Sequence, residues 1–420
     1  MINSLGFFVS YVFSAVWPVL GLAFLGYLAW LFWHHYVEHD FISGIDWVLL
    51  EIVPPRDVLR SPKAMELFFT NGLYHLSNKG FVEKYWLGAV QLWFSLEIVS
   101  IGGQVHFYIR TPSRLKGLIE TQLYAQYPQA QVKLAEDYTL AVNNISPESG
   151  WDLWGCEFTL AKPDAYPIKT YVDFGLDKDP KEEYKVDPIS PVIELFGSIE
   201  KGEQVWMQIV IAPSQKKYHT HGTWFGHHGW VEESEHMMKE LTEKYTKSKE
   251  AGEDGFAQML PKWVSPVLEG MNTKSTKAGF DTGIRVCYVA KKENFQNNSK
   301  RNLRLIFRQY DISTLNSFKR VNTTSFSHFW QFSPSALFKL KERMLLEYRE
   351  RAFLYPPLIH HIPIPFPVSL FFPKYNHSNI SVLNTEELAT IFHFPGQILK
   401  VPTLERIESK EAAPPTNLPM

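Results

Sequence analysis

The chain of 420 residues carries 42 Lys and Arg against 44 Asp and Glu, a formal net charge of -2, with 45% hydrophobic and 20% charged residues. That balance leaves no overall basic footprint for nucleic acid, and two cysteines, Cys156 and Cys287, are too few for a disulfide framework and fit a reducing compartment. The length accommodates two or three domains with a sizeable core, so gross disorder, a small disulfide scaffold and a multi-span transporter are excluded.

The average hides an asymmetry. Met1 to Trp33 contains no Lys, Arg, Asp or Glu, and the first charged side chain is Glu38. Leu5 to Trp33 has only Ser10 and Ser14 as clearly polar members, and a membrane span needs about 20 apolar residues. Phe7 belongs to the apolar run, Pro18 is expected to kink the helix, and Trp30 and Trp33 with His34, His35 and Tyr36 form an amphipathic exit. A cleaved signal peptide is the rival, but it would need a basic leading segment and a shorter apolar stretch. Arg56, Arg60 and Lys63 follow the run whereas none precedes it, which predicts a single-pass anchor in the cytoplasmic membrane with the bulk in the cytoplasm.

Beyond the anchor, 46–54 reads as a strand, and Ser61-Pro62 starts a helix to about Asn78. Strands over 90–99 and 104–110 flank Ile101-Gly102-Gly103, a hairpin signal. A helix from Pro112 through Tyr127 and a strand over 131–136 complete β-α-β-β-α-β, the ferredoxin-like arrangement. The order returns as a helix over 188–202, strands over 204–212 and 283–290, and a helix near 299–310. Gln91-Leu92-Trp93-Phe94 resembles Gln204-Val205-Trp206-Met207, and Gly103 to Ile109 resembles Gly283 to Val289. An internal duplication explains this; the alternative is that amphipathic strands with central aromatics look alike. Val231 to Gly255 is highly charged without a good apolar face and reads as a solvated arm. Ser333-Pro334 opens another helix, a Pro-rich extended segment spans 355–373, and Asn384-Thr385-Glu386-Glu387 forms a capping box. The expected fold is thus α+β: an anchor and exit (1–45), a ferredoxin-like module (46–145), a second (146–330) with a charged insertion at 213–282, a helix and packing segment ending in a short helix (331–395), and a Pro-rich tail (396–420).

Chemistry-bearing residues are sparse. His219, His221, His227 and His228 could hold a metal, since neutral imidazoles bind zinc, and a metal-dependent membrane enzyme using this loop is the alternative function. Gly222, Gly226 and Gly229 make a mobile loop the competing reading. Cys156 and Cys287 lie in apolar strand-like stretches, as inert thiols do. No GxxxxGK[ST] occurs, nor a nucleophile elbow or HExxH. Lys300, Arg301 and Arg304 could touch phosphates but read more simply as one polar helix face, so direct nucleic-acid binding is not expected. No catalytic set and no cofactor is expected.

Val382 to Gly396 (VLNTEELATIFHFPG), followed by Pro402-Thr403-Leu404 and Pro414 to Pro419, resembles a particular junction. It is similar to the segment joining the membrane-anchored N-terminal region to the motor domain in bacterial type IV secretion and conjugation ATPases of the coupling-protein class. Lys84 to Glu97 and Val105 to Pro112 also resemble that N-terminal region. The resemblance implies a stand-alone anchor or adaptor without the ATPase, since the chain has no P-loop. It implies the lipid bilayer and a separate P-loop ATPase as partners, is compatible with a homo-oligomer, and points to Asn384, Thr385, Glu386, Glu387, Phe392 and Phe394 as docking residues.

Overall fold

The computed structural model describes residues 2–55, 60–177, 186–220, 226–247, 261–325, 334–356 and 379–396, with side chains from residue 16 onward. In chain order the elements are α1 (Ile2–Ser43), β1 (Trp47–Val53), α2 (Lys63–Phe68), α3 (Phe81–Tyr85), β2 (Phe94–Ile101), β3 (Gln104–Pro112), α4 (Lys116–Gln126), β4 (Gln131–Ala135), β5 (Trp151–Leu160), α5 (Ser190–Gly197) and β6 (Glu203–Pro213). They continue with β7 (Tyr218–His219), β8 (His227–His228), α6 (Trp230–Lys247), α7 (Val264–Ser275), β9 (Gly279–Lys291), α8 (Asn297–Leu303), β10 (Phe318–Val321), α9 (Pro334–Glu350), β11 (Ser381–Asn384) and α10 (Thr385–Ile391). The chain forms two compact units, one of residues 1–46 with 77–91 and one of 47–76 with 92–420.

The first unit is built on α1, which runs through Pro18. Residues 77–91, assigned by sequence to the first module, belong here instead. Rings recruit them: Tyr85 packs on Trp30 and His34, and Trp86 on Trp33, at centroid distances of 5.6, 5.2 and 5.7 Å. The Trp33 indole also donates to the Tyr85 carbonyl at 3.2 Å.

In the second unit the described strands form a nine-stranded antiparallel sheet in the order β10-β5-β9-β6-β2-β3-β1-β4, with β11 paired to β9. Within each half the strands follow one pattern: β2-β3-β1-β4, then β6-β9-β5-β10. The halves join where β2 meets β6, from Phe94↔Ile211 to Ile101↔Gln204. The β2–β3 turn uses Gly102 and Gly103 at φ of 58° and 90°, the left-handed pair that a two-residue hairpin requires. Strand β9 is long enough to pair with β5 over its second part and with β11 over Gly279 to Thr282.

One sheet face carries the main apolar core, with Leu96, Phe107, Met207 and Val286 under Met65, Leu123, Ile193 and Leu388 of the helices. The opposite face carries Val99, Tyr108, Trp206 and Cys287 beneath Met344, Leu345 and Tyr348 of α9. This alternation corrects one sequence match. Aligning Gly103 to Ile109 with Gly283 to Val289 sets Phe107 on Cys287, yet these residues face opposite sides. Side chains alternate with period two, so the match is slipped by an odd number of residues. The match of Phe94 with Met207 keeps both on the main core side.

The charged stretch after Trp230 is not a free arm over its described part. Met237, Met238 and Leu241 recur on one side of α6 and pack against Val267 and Met271 of α7 and Ala165. Spacings of three and four residues place them together despite the surrounding charge.

Candidate functional site

The mid-strand polar residues on the α9 side line up across the sheet. Register places Glu51 opposite Tyr108, Tyr108 opposite Glu97, Glu97 opposite Gln208, Gln208 opposite Arg285, and Arg285 opposite Glu157. Each of Glu97, Gln208, Arg285 and Glu157 interrupts an apolar strand, and all four are buried. A buried charge is tolerated only when paired and hydrogen-bonded, and α9 supplies the partners.

Arg285 donates from Nη2 to Glu157 at 2.7 Å and to Glu347 of α9 at 2.9 Å. Glu157 also accepts from Asn322 at 2.6 Å, and Glu347 from Arg343 at 2.9 Å. Gln208 donates to the Tyr348 carbonyl at 2.9 Å. Arg351, just past α9, grips both oxygens of Glu97 at 2.9 and 3.1 Å and reaches Asp137. Arg351 adopts φ of 53°, a left-handed conformation that a non-glycine residue occupies only when its surroundings over-determine it. Tyr138 donates to Glu97 at 2.8 Å, and its hydroxyl also lies 2.8 Å from that of Tyr348.

The electrostatics follow. Burial pushes the Tyr138 and Tyr348 phenols well above their usual range, and the Glu97 charge adds to it. Burial also raises Asp137, but the hydrogen bond and charge of Arg351 with the bonds from Thr139 outweigh it, leaving the carboxyl below its ordinary value. For Arg351 burial is likewise outweighed, by Glu97 above all, and its guanidinium is held more firmly protonated. Each carboxylate is already engaged by a cation or donor. Such a set locks a helix to a sheet rather than leaving an acid or base poised for a substrate.

The segment from Asn384 occupies the other face. The capping box is present as expected: Asn384 Oδ1 accepts from the Glu387 amide at 2.8 Å, and Glu387 Oε2 accepts from the Asn384 amide at 2.9 Å. All six residues that the resemblance singles out for docking are buried here: Asn384, Thr385, Glu386, Glu387, Phe392 and Phe394. Phe392 and Phe394 stand edge-on to Phe107 in the first half. Glu387 pairs with Lys274 at 2.9 Å and accepts from the Ile168 amide in the second. Burial raises the Glu387 carboxyl above its usual value despite Lys274. Lys277 bridges Glu386 and Glu66 at 2.6 and 2.7 Å. These residues clasp the two halves of the sheet body and offer no exposed surface to a partner.

The histidines are only partly gathered. His219 and His227 face each other across the β7–β8 ladder with rings 5.8 Å apart. His228 lies 2.6 Å from Glu233 and 2.9 Å from the Thr220 hydroxyl, so both its ring nitrogens are engaged. His221 lies outside the described residues. Among the described residues no three His, Cys, Asp or Glu converge as a metal site. Cys156 and Cys287 are buried; burial raises both thiols, that of Cys287 to about 12. Of the expected anchor residues, Pro18, Trp30 and Trp33 lie on α1 and are exposed, and Phe7 lies on α1. Lys300 and Arg301 are on α8 with Arg304 just beyond, where the Arg304 guanidinium lies 5.7 Å from the Trp154 ring.

Sequence reasoning missed the cross-sheet row, though each member is a lone polar residue centred in an apolar strand. Which lone residues share a row depends on register, which no single strand reveals.

A model of a domain of unknown function, DUF8128, matches residues 41–344. The chain belongs to this family. The match spans every strand from β1 to β10 and the first part of α9, so the strand residues of the polar row fall inside the family's domain, whereas their partners Glu347, Tyr348 and Arg351 lie just beyond it. Most of α1 and all of β11 and α10 lie outside it. No curated protein matches the chain.

Proposed function

We propose that this protein is a single-pass, membrane-anchored scaffold of the cytoplasmic membrane, with its sheet body in the cytoplasm and a binding rather than catalytic role. One observation carries the anchor. Val16–Ser43 of α1 is long and apolar enough to cross a bilayer, and none of its most apolar stretch is buried by the protein itself. An apolar helix that its own fold leaves bare is stabilised by lipid. Lys84, beside Tyr85 where the uncharged run of α1 gives out at Trp30 to His34, adds basic charge there and supports a cytoplasmic exit.

Two ferredoxin-like modules joined edge to edge form the body in this reading, supported by the repeated strand order of the halves. The charged groups of the buried row are engaged in internal pairs, which suits a rigid platform. The partner in this reading is a separate P-loop ATPase of the type IV secretion or conjugation class, suggested by the resemblance of Val382 to Gly396. Because those residues serve the body's own core, docking is not assigned to them.

Alkaline carbonate extraction tests the anchor: the full chain is expected in the membrane pellet, and its release would remove that part of the proposal. Affinity purification from gently solubilised native membranes tests the partner. Recovery of a P-loop ATPase is expected, and repeated recovery without one would overturn the secretion reading while leaving the anchor intact.

A further inference from the structure

We propose that Phe81 to Leu87 is a second membrane contact, an interfacial wedge that lies in the headgroup region beside the exit of α1. This rests on the anchor reading. The motivating feature is an apolar surface that the fold creates and then leaves open. Phe81, Val82, Trp86 and Leu87 are 66%, 60%, 55% and 62% exposed, in a stretch of only seven residues. Isolated apolar residues on a surface are ordinary, but two aromatic and two aliphatic side chains clustered this tightly mark a contact surface.

Their position identifies the occupant. The wedge is pinned to the aromatic exit of α1 by the Tyr85 and Trp86 ring contacts and the Trp33 indole hydrogen bond. It is also pinned by Gly88, at φ of 62°, where a Cβ would come within 2.0 Å of the Val37 carbonyl oxygen. Only glycine allows this backbone to close on the helix. Trp30 and Trp33 close the uncharged run of α1, ahead of His34, His35, Glu38, His39 and Asp40, and so stand at the level where a span meets headgroups, a zone that indoles favour. Whatever is fixed beside them shares that depth. Lys84 is exposed on the same short helix, over the Tyr85 ring, while its neighbour Glu83, the one acid of the stretch, accepts from the Gly80 amide at 3.0 Å; the lysine suits lipid phosphates. Apolar residues with a lysine at that depth have the composition of a monotopic element, whose apolar side enters about 5–10 Å into the headgroup and acyl boundary. A lipid surface accounts for both the apolar cluster and its attachment to the span.

The test uses the full chain in nanodiscs of phosphatidylcholine and phosphatidylglycerol, with no other protein present. An environment-sensitive fluorophore is placed at Val82→Cys or, separately, at Leu22→Cys in the bare part of α1; Cys156 and Cys287 are buried and stay unlabelled. Lipids brominated near the headgroup or near the chain end then quench according to depth. The Val82 probe is expected to be quenched at least about threefold more by shallow than by deep bromines, and to be shielded from aqueous iodide. The Leu22 probe is expected to show the opposite depth preference. With Gly88→Ala the Val82 probe should lose its depth preference and gain iodide quenching, while Leu22 is unchanged.

If Leu22 is deep but Val82 is quenched by iodide and not by lipid, the wedge is wrong and the anchor stands. That is also the result expected if the patch serves a protein partner instead. If Leu22 itself escapes lipid quenching, the anchor reading fails and the wedge falls with it. Deep rather than shallow quenching of Val82 would also overturn interfacial placement.

Discussion

The two faces of the sheet are closed by different balances of the same forces, mainly apolar on one, where Glu387–Lys274 is a buried ion pair within the packing, and mainly ionic on the other. On one, helices and the Asn384 to Phe394 segment bury a continuous apolar core in which Phe107, Phe392 and Phe394 meet edge to face. On the other, α9 is fastened by a row of buried charges, with Arg285 between Glu157 and Glu347 and Arg351 on Glu97. Apolar burial is non-directional and tolerates small shifts of a helix. A paired-charge row is directional, and a misplaced helix would strand ions away from water. The apolar face therefore holds the halves together, and the polar face specifies where α9 sits.

Substitutions sharpen the contrast, with stability read from denaturant titration of the full chain in detergent. Arg285→Met leaves Glu157 and Glu347 facing each other in the interior, and should cost ~4 kcal/mol. Combining it with Glu157→Leu and Glu347→Leu should recover a large part of the loss, because no uncompensated charge stays fully buried; Arg343, which also pairs with Glu347, is partly exposed and reaches water. If the single and triple variants lost equally, the row would be acting as packing alone. Phe392→Ala on the other face should cost ~3 kcal/mol, through lost apolar burial and the cavity left behind. No change of a charged neighbour should rescue it. Asn384→Ala removes the acceptor of the Glu387 amide and should cost ~1 kcal/mol. An unchanged midpoint would mean that strand β11 alone positions α10.

Both faces should lose stability in acid, each through a partly buried aspartate. Asp137 is held below its ordinary value in the folded protein, so between its folded value and the unfolded value of about 3.9 the unfolded chain binds more protons. Its contribution is therefore fully present above the unfolded value and is lost as pH falls through the folded one. Asp187, which the charge of His393 holds down against burial, behaves in the same sense. Asp137→Asn should lower stability at neutral pH and flatten the acid limb of the stability curve. An acid limb as steep as in the parent would assign the acid sensitivity to other carboxylates.

Local signals were readable wherever the chemistry was local. Gly102-Gly103 announced a hairpin because two consecutive positive φ angles are needed, and Asn384 with Glu387 announced a cap because its two bonds span only three residues. Strands 204–212 and 283–290 were legible from apolar content, although their partners were not. The burial of α10 was not legible. Its acidic first turn looks like a surface, and only Lys274 and Lys277, more than a hundred residues away in sequence, make it an interior. The charged helix after Trp230 misled for the converse reason, because Met237, Met238 and Leu241 make a narrow stripe whose partner α7 lies beyond a long gap.

By itself, the sequence determined that Met1 to Trp33 is a charge-free apolar run and that an α+β body follows, because composition and periodicity act within one element. Tertiary structure alone decided which lone charges share a row, that the Asn384 segment is core, and that Phe81 to Leu87 returns to the helix exit. Those outcomes depend on register and on contacts between distant segments, whose free energy exists only once both partners are in place.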